Sequence, residues 1–393
     1  MPFVVDPQAE MRPGIVELRW GDPDPGLIPV QKIAAAAGAA LRAAGPAALS
    51  YGANEGPRVL REALAERITQ TEGHHVGLDE IGITAGNSAA LNHLLALLVR
   101  PGDAVLVEDP SYSLALSMAR DLCIDLVGVP IDDQGLRVDA LPGILAQIRR
   151  SGRTPRLLYT IPTFHNPTGV CLADERRRRL LQIAAEEQIL VVEDDVYREL
   201  AYEGVSPASL WALAHEVPGA AGCVVRLGSF SKTLAPGLRC GFLTAGVALA
   251  ERIAQSGLCD SGGCPSQFTA CLVAQMILEG SYDENVARLR SAYAERSRAL
   301  TSGLREALPA GCSVSAARGG FFTWVGLPDG LTAARVLPFA EASGVSFVGG
   351  SRFSVGGSEQ GIRLAFTMYP PKVLRAAAAL LGKAITEARE AAG

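Results

Sequence analysis

Short apolar runs alternate with helical segments through the middle of the chain, and this alternation limits the possible folds more than any other feature. The clearest runs are 104–108, 156–160 and 189–193, and they are separated by segments with helical spacing such as 141–150 and 173–188. Strands that alternate with helices of this length form βαβ units, in which the strands lie parallel in one sheet. The sequence therefore predicts an α/β fold around a mainly parallel sheet.

Polar side chains follow the ends of these predicted strands. Tyr112, Asn166 and Asp194 each come shortly after one of the apolar runs, and Tyr197 lies three residues beyond Asp194. The carboxyl ends of parallel strands meet at one edge of a sheet, where α/β proteins bind their ligands. We therefore expect these four side chains to share one binding site.

Lys232 lies in a stretch of small residues, 228–241, that follows the apolar run 223–225. The chain has four lysines and thirty-two arginines, so a role that needs only positive charge would have been filled by arginine. Lysine, unlike arginine, can lose its proton in a suitable pocket and attack a carbonyl carbon. We interpret Lys232 as a Schiff-base lysine; the alternative, a solvated lysine in a loop, stays open on this stretch alone.

A small-residue turn, 85–88, joins the predicted strand 80–84 to the predicted helix 89–99. This arrangement aims free backbone N–H groups and the positive end of a helix at a bound phosphate. Many turns in α/β proteins look the same, so the turn alone does not establish a phosphate site.

Pyridoxal phosphate is a cofactor that these residues could bind together. Lys232 would hold its aldehyde and later move the substrate's α-proton. Asp194 would face the pyridine nitrogen, Asn166 and Tyr197 would hydrogen-bond the phenolic oxygen, and Tyr112 would stack on the ring. We expect Lys232, Asp194 and Tyr197 to be the catalytic residues.

The remaining site residues would bind the two anionic groups, the cofactor phosphate and the substrate carboxylate. Residues expected at the phosphate are Gly86, Asn87, Ser88, Ser229, Ser231 and Arg239. Arg363 interrupts an apolar strand and needs an anionic partner. We expect it to bind the substrate α-carboxylate, although a core ion pair is an alternative for this residue.

The motifs in their chain order resemble the class I and II aminotransferases of fold type I, over essentially the whole chain. They are Tyr51-Gly52 with Gly56, Gly86-Asn87-Ser88, Pro101-Gly102-Asp103, Asn166-Pro167-Thr168-Gly169, Asp194-x-x-Tyr197, Ser229-Phe230-Ser231-Lys232 with Arg239, and Arg363. The resemblance is strongest to the branch that contains 2-aminoadipate aminotransferases and the aminotransferase-like part of certain bacterial regulators.

This resemblance implies a domain organisation and an assembly. An N-terminal arm and helix, 1–45, would pack with the small domain; 46–280 would form the large cofactor-binding domain, with a mainly parallel seven-stranded sheet between helices; and 281–393 would form a smaller α+β domain. The family implies a homodimer with shared active sites, in which Tyr51 and the loop around residues 261–267 reach the partner's cofactor. Gly21 of the arm and Asn166 would contribute to substrate binding, together with Arg363.

The family implies an aminotransferase that moves an amino group between an α-amino acid and a 2-oxo acid, with 2-oxoglutarate as the expected acceptor. The chain departs from its branch at His165, where a Gln is common, and at Gly349-Gly350, where Pro-Gly is common. The substrate therefore stays open. One alternative is a cofactor-dependent enzyme that uses the same α-carbanion for elimination, replacement or C–C bond formation in a biosynthetic pathway. A second is the effector domain of a transcriptional regulator, which we disfavour because the chain begins almost directly at the arm.

Composition excludes several classes of partner. A formal net charge of −5 disfavours a nucleic acid or an anionic membrane, since both reward clustered positive charge. No apolar run approaches the roughly 20 residues of a membrane span, and Met1–Asp6 lack a signal-peptide pattern. The eight cysteines form no C-x-x-C pair, so we expect reduced thiols, no metal site and a cytoplasmic protein.

Overall fold

The computed structural model of the chain describes residues 8–391, so the expectation about Met1–Asp6 lies outside the described residues. The strands, in chain order, are β1 (Val16–Glu17), β2 (Ile81–Thr84), β3 (Asp103–Asp109), β4 (Asp125–Asp132), β5 (Gly135–Leu136), β6 (Thr154–Thr160), β7 (Leu190–Asp194), β8 (Val224–Ser229), β9 (Gly241–Ala245), β10 (Ser313–Val314), β11 (Phe322–Gly326), β12 (Val345–Ser346), β13 (Val348–Gly349) and β14 (Ile362–Ala365). The α-helices are α1 (Val30–Ala44), α2 (Arg58–Glu72), α3 (Asn87–Leu98), α4 (Ser113–Asp121), α5 (Leu141–Arg150), α6 (Asp174–Glu187), α7 (Leu210–Ala214), α8 (Val247–Ala254), α9 (Gly257–Gly262), α10 (Gln267–Leu278), α11 (Ser281–Ala307), α12 (Ala333–Ala342) and α13 (Pro371–Glu390).

The central sheet has the strand order β2-β9-β8-β7-β6-β3-β4-β5. Neighbouring strands from β8 to β4 pair in parallel, whereas β9 runs antiparallel to both β8 and β2. The expected mainly parallel sheet is confirmed, with its seven longer strands. The two-residue strand β5 adds an eighth, because the chain folds back on β4 through a turn in which Gln134 N donates to Asp132 Oδ1 at 2.8 Å.

Both faces of this sheet are covered by helices. Successive side chains of a strand point to opposite faces: Ala104 and Leu106 of β3 lie in a core with α2, α5, α6, α7 and α10, whereas Val105 and Val107 lie in a second core with α3, α4 and α8. Because each fully buried aliphatic side chain stabilises the fold by about 1.5–3 kcal/mol, an apolar run buried on both faces forms a central strand.

A second, antiparallel sheet with the order β10-β11-β14-β13 belongs to the expected smaller α+β domain, which is confirmed. Its core contains Leu300 of α11, Val336 of α12 and Leu381 of α13. The N-terminal arm joins this domain, because β1 pairs with β12 in the register Val16 to Val345.

Helix α1 packs differently from the expectation that residues 1–45 pack together with the small domain. It lies against α10, on the side of the large sheet. Its buried residues, Ala36 and Ala40, are small enough for close approach, and Ala40 shares a core cluster with Cys271 of α10.

The proposed boundary near residue 280 falls at a helix end rather than inside a helix. Helix α10 ends at Leu278 and α11 begins at Ser281. Gly280 separates them with a φ of +75°, a left-handed conformation that glycine adopts without steric cost. The domain limits 46–280 and 281–393 stay a proposal.

Neither a membrane span nor a metal site is found in the described part of the chain. None of the helices within residues 8–391 is long and apolar enough to cross a bilayer. In the same residues, no three His, Cys, Asp or Glu side chains come together as a set of metal ligands. The eight cysteines are free thiols.

Candidate active site

Asp194 lies at the carboxyl end of β7 and is 6% exposed. Its Oδ2 accepts a hydrogen bond from the hydroxyl of Tyr159 at 2.7 Å, and its Oδ1 accepts one from the amide of Asn87 at 2.8 Å. Burial raises the pKa of Asp194 to about 6, although both hydrogen bonds act to lower it. A carboxylate held by two neutral donors can still accept a cationic partner, such as a protonated ring nitrogen.

Lys232 follows β8, and its Nζ donates to the carbonyl oxygen of Gly21 at 2.9 Å. The ammonium group lies 5.3 Å from the ring centroid of Phe321. Burial lowers the pKa of Lys232, which makes the neutral, nucleophilic amine easier to form. The expected reactive lysine therefore lies in a suitable environment, and the surface-loop alternative does not fit this burial.

The phosphate turn lies at the start of α3. Gly86 precedes the helix with a φ of +80°, and a Cβ at this position would lie 2.8 Å from Nη2 of Arg239. Arg239 Nη2 donates to the carbonyl of Ala85 at 3.2 Å, and the backbone N–H of Ser231 donates to Ser229 Oγ at 3.1 Å. A helix N-terminus, two hydroxyls and a guanidinium thus surround one small space, as a phosphate requires.

Asn87 and Ser88 lie in the first turn of α3, which begins two residues before the predicted helix 89–99. The side chain of Asn87, however, is directed to Asp194 and not to the phosphate turn. Its contribution to a phosphate is therefore limited to its backbone N–H group, while its amide orients the carboxylate.

Arg363 lies on β14 and is 8% exposed. Its Nη1 donates to Asn166 Oδ1 at 3.2 Å and its Nη2 to the carbonyl of Arg19 at 2.6 Å. The guanidinium lies 4.3 Å and 4.8 Å from the ring centroids of Phe322 and Phe353. Burial lowers its pKa to about 10. No carboxylate within residues 8–391 pairs with it and its Nε has no hydrogen-bond partner there, so the core ion-pair alternative is wrong.

Tyr112 and Tyr197 lie near Asp194 and Arg363, whose charges act on both phenols. Tyr197 is buried and contacts the rings of Phe321 and Phe322. Burial raises the pKa of Tyr112 to about 12 and raises that of Tyr197 further. Both phenols therefore stay protonated and can donate hydrogen bonds.

Tyr51 does not join this cluster within the protomer, because its side chain is 89% exposed. The loop that carries Tyr51 packs on residues 261–267, which are also expected to reach the partner. A Cβ at Gly52 would collide with the side chain of Gln267, and one at Gly263 would collide with the carbonyl of Gly52. The two segments thus form one continuous surface.

His165, which departs from the family pattern, is engaged within its own turn. Its Nδ1 lies 2.8 Å from Thr168 Oγ1, and its Nε2 lies 3.1 Å from Glu108 Oε2. Glu108 also accepts from the hydroxyl of Thr160 at 2.7 Å. The side chain of His165 therefore supports the turn that carries Asn166.

Two functional groups escaped the sequence analysis. Tyr159 was included in an apolar strand, and only its place one residue before the end of β6 could have suggested a polar role. Asp22 lies in the Pro- and Gly-rich arm, where no sequence pattern distinguishes it from Asp24. Gly21 is needed for close packing of this arm, since a Cβ would lie 2.5 Å from the ring of Phe322.

These residues fit pyridoxal phosphate. A buried carboxylate would face the ring nitrogen, a half-buried lysine would meet the aldehyde, and a glycine turn at a helix N-terminus would bind the phosphate. The absence of a side chain at Gly86 lets the guanidinium of Arg239 approach the start of α3, since a Cβ there would lie 2.8 Å from its Nη2.

Comparison with known proteins also indicates an enzyme that uses pyridoxal phosphate. Residues 13–380 match the family described as aminotransferase class I and II. The chain is 36% identical over 377 residues to the 2-aminoadipate transaminase of Thermus thermophilus, with 95% of this chain and 91% of that protein covered. It is 33% identical over 377 residues to aromatic-amino-acid aminotransferase 1 of Thermococcus litoralis, with 95% and 88% covered. Among solved structures, the kynurenine aminotransferase of Pyrococcus horikoshii superposes with a TM-score of 0.89 at 31% identity, covering 95% of this chain and 91% of that chain.

The expected family, fold type and branch are thereby confirmed. The match covers the phosphate turn, the lysine segment and Arg363 alike, because it spans both domains. The chain belongs to the class I and II aminotransferases and is an enzyme that transfers amino groups with pyridoxal phosphate as its cofactor.

Proposed function

We propose that this enzyme moves the amino group of an α-amino acid to 2-oxoglutarate at the site around Lys232. The observation that carries this proposal is the environment of Arg363, a buried cation whose hydrogen-bond partners are neutral oxygens and whose Nε has no partner among the described residues. A buried unpaired charge is costly. A substrate α-carboxylate would supply the missing anion.

Arg363 and Lys232 would act on the same substrate from two sides. Both groups are tied to the arm, Arg363 through the carbonyl of Arg19 and Lys232 through that of Gly21. A carboxylate bound by the guanidinium would hold the α-carbon near Nζ of Lys232. Because the pKa of Lys232 is lowered, a larger fraction of its side chain is the neutral amine near neutral pH, and Nζ can accept and return the α-proton.

Asp194 would keep the cofactor ring in its active protonation state. Pyridoxal phosphate, when bound, supplies an aldehyde that accepts the amino group and a ring that withdraws electrons from the α-carbon. The carboxylate of Asp194 would stabilise a proton on the ring nitrogen, while Tyr159 and Asn87 hold that carboxylate in place. Asn166 and Tyr197 would donate to the phenolic oxygen.

The phosphate would lie at the N-terminus of α3, and the ring would stack on Tyr112. Its ligands would be the backbone of Gly86, Asn87 and Ser88, the hydroxyls of Ser229 and Ser231, and the guanidinium of Arg239. The close approach of the Arg239 guanidinium to Gly86 and the positive end of a twelve-residue helix support this role.

A homodimer with shared sites is part of the proposal. Apolar side chains are exposed on the surface around Tyr51: Leu49 is 70% and Leu258 69% exposed. Contiguous exposed apolar side chains are typical of an interface. We propose that Tyr51 reaches the cofactor of the partner subunit, and that the protein is cytoplasmic.

The printed activities of the relatives suggest amino donors to test. They are a 2-aminoadipate transaminase, an aromatic-amino-acid aminotransferase and a kynurenine aminotransferase. All three act on α-amino acids with side chains longer than that of alanine. A panel that varies side-chain length and charge would therefore include the substrate class.

A half-reaction tests the function. Enzyme loaded with pyridoxal phosphate is mixed with one amino acid and no 2-oxo acid, and the cofactor absorbance is followed. We expect stoichiometric conversion to the pyridoxamine form and its reversal by 2-oxoglutarate. Lys232→Ala should lose both the absorbance band of the lysine-bound cofactor and the activity, whereas Lys372→Ala, at an exposed position, should keep both.

Two outcomes would contradict the proposal. Turnover of the amino acid with release of ammonia and no pyridoxamine form would indicate elimination instead of amino transfer. Retention of the band and of the activity in Lys232→Ala would show that another residue binds the cofactor.

A further inference from the structure

The arm segment next to Lys232 forms a fixed wall of the active site. Gly21 accepts a hydrogen bond from Lys232 Nζ at 2.9 Å, and the carbonyl of Asp22 accepts one from Thr367 Oγ1 at 2.6 Å. Two consecutive carbonyls are thus held by side chains from two different domains. The backbone of Asp22 therefore has a defined place next to the residue that binds the reactive lysine.

Asp22 is half-buried, and within residues 8–391 its carboxylate has neither a hydrogen bond nor an ion pair. Asp24, two residues further along the same arm, is also half-buried, but its carboxylate has two partners. Its Oδ2 lies 2.6 Å from Nη2 of Arg296, and its Oδ1 accepts from the backbone N–H of Gly26 at 2.8 Å. The arm therefore carries one carboxylate with a structural role and one without a partner.

The charge of Asp22 acts on four groups of the active site. Its charge opposes the burial that lowers the pKa of Lys232, and it adds to the burial that raises the pKa of Tyr112 and of Tyr197. It also acts on Arg363. These four groups belong to four different elements, so a charge that acts on all of them lies close to the place where these elements meet.

The other charged residue of this segment does not neutralise Asp22. The guanidinium of Arg19 lies 5.3 Å from the ring centroid of Trp20, and its charge acts on Glu341 of the small domain. Arg19 contributes only its carbonyl oxygen to the site, through Arg363. The wall of the cavity formed by the arm thus has negative charge.

We propose that Asp22 determines the side-chain specificity of the enzyme, and that it selects amino acids whose side chain ends in a cation or a hydrogen-bond donor, such as an ω-amino, guanidino or arylamine group. This inference rests on the proposed function, because a carboxylate bound at Arg363 directs the rest of the substrate along the arm. A side-chain carboxylate would meet Asp22 as a like charge and bind weakly.

The charge of Asp22 would also affect the second half-reaction. An acceptor such as 2-oxoglutarate carries a distal carboxylate into the same cavity, so we expect its KM to exceed that of an uncharged 2-oxo acid of similar length. 2-Oxoglutarate would still accept the amino group, with a lower kcat/KM than an uncharged 2-oxo acid.

Equilibrium binding of unreactive analogues tests the charge preference directly. Hexanoate, adipate and 6-aminohexanoate share one carboxylate for Arg363 and differ at the far end. Their Kd values are measured by calorimetry on wild type, Asp22→Asn and Asp24→Asn loaded with pyridoxamine phosphate, which has no aldehyde that could react with the amine of 6-aminohexanoate. We expect wild type to prefer 6-aminohexanoate to adipate by about tenfold or more, a ratio that Asp22→Asn abolishes and Asp24→Asn keeps.

Steady-state kinetics with lysine, norleucine and 2-aminoadipate as donors gives the second readout. Asp22→Asn should lower kcat/KM for lysine and raise it for 2-aminoadipate, each by roughly tenfold through KM. An equal change for all three donors would overturn the proposal, because Asp22 would then act on Lys232 and not on the side chain. A wild-type preference for adipate and 2-aminoadipate would also overturn it.

The two proposals fail in different ways. If no donor converts the cofactor of the wild type to its pyridoxamine form, the proposed function is wrong. If donors convert the cofactor but the three analogues bind equally, only the role of Asp22 is wrong. The asparagine variant keeps the shape of the side chain and the backbone carbonyl that Thr367 binds, so its fold is preserved.

Discussion

Asp194 and Asp195 are consecutive and almost equally buried, yet their partners are of opposite kinds. Asp194 accepts hydrogen bonds from two neutral groups, the hydroxyl of Tyr159 and the amide of Asn87. Asp195 points to the other side of the sheet, where Nε of Arg226 donates to its Oδ2 at 2.9 Å. A buried carboxylate with only neutral donors is suited to a cation that binds later, whereas a carboxylate with a guanidinium is already neutralised.

Asp195 belongs to a cluster of two carboxylates and two guanidinium groups. Glu72 Oε1 lies 2.7 Å from Nε of Arg198 and 3.1 Å from Nη1 of Arg226. Burial favours the neutral form of Glu72, but the two guanidinium charges outweigh it and lower its pKa. The cluster joins α2 to the strands β7 and β8, so we interpret Asp195 as a structural residue and Asp194 as a functional one.

Asp194→Asn should cause the largest loss of activity of the substitutions that test this comparison. The change keeps the shape and removes the charge, so nothing stabilises a proton on the ring nitrogen, and we expect kcat to fall roughly 10²–10³-fold. Asn can still accept the hydrogen bond from Tyr159. The free energy of unfolding of the cofactor-free protein should therefore change by less than about 1 kcal/mol.

The measurement pairs kcat with a urea titration of the cofactor-free protein. If Asp194→Asn kept its activity and lost several kcal/mol of stability, Asp194 would be a structural residue and our interpretation of the two aspartates would be wrong. Asp194→Glu serves as a further control, because it restores the charge at a displaced position and should recover part of the activity.

Asp195→Asn should have its main effect on stability. It leaves two guanidinium groups with Glu72 as the single carboxylate of the cluster, and breaking a buried ion pair costs about 3–5 kcal/mol. We expect a lower urea midpoint with an unchanged slope and, at temperatures where the variant is folded, a kcat within about threefold of wild type. An unchanged midpoint would contradict the structural role.

The sequence predicted the role of Asp194 but not the side chains that donate hydrogen bonds to its carboxylate. Its place after an apolar strand and the spacing to Tyr197 were sufficient for the expected role at the ring nitrogen. Tyr159 contacts it only because β6 and β7 pair in a register that sets Tyr159 beside Val192, and a register between separate strands cannot be derived from local patterns. The side chain of Asn87 reaches Asp194 across 107 residues because α3 packs against the sheet that contains β7.

The arm was the least predictable part of the site, in contrast to the sheet. Apolar runs define strands by their own composition, whereas the irregular arm is fixed by partners far away in the chain, such as Val345 for Val16 and Thr367 for Asp22. Gly21 was expected in the pocket only through the family resemblance. The charge of Asp22 becomes meaningful only when its neighbours in space are known.

Of these substitutions, Tyr159→Phe should have the smallest effect on activity. It tests most directly whether neutral donors tune the carboxylate of Asp194. It removes one of the two donors to Asp194 and no apolar contact. That hydrogen bond lowers the pKa of Asp194, so its loss moves the pKa above about 6. A larger fraction of Asp194 is then protonated as the pH falls toward that value, and activity should decline at a higher pH than in the wild type.

The pH profile separates this role from a purely structural one. For a rise of about one pKa unit, we expect kcat/KM of Tyr159→Phe to be roughly fivefold below wild type near pH 6, where about half of Asp194 is ionised in the wild type and about a tenth in the variant, and to approach wild type near pH 8, where Asp194 is largely ionised in both. Tyr202→Phe is the matched control: it also loses a buried hydroxyl, one that donates to the carbonyl of Gly320, but it has no hydrogen bond to Asp194. A parallel loss at every pH, or the same profile in both variants, would mean that Tyr159 stabilises the fold without tuning the carboxylate.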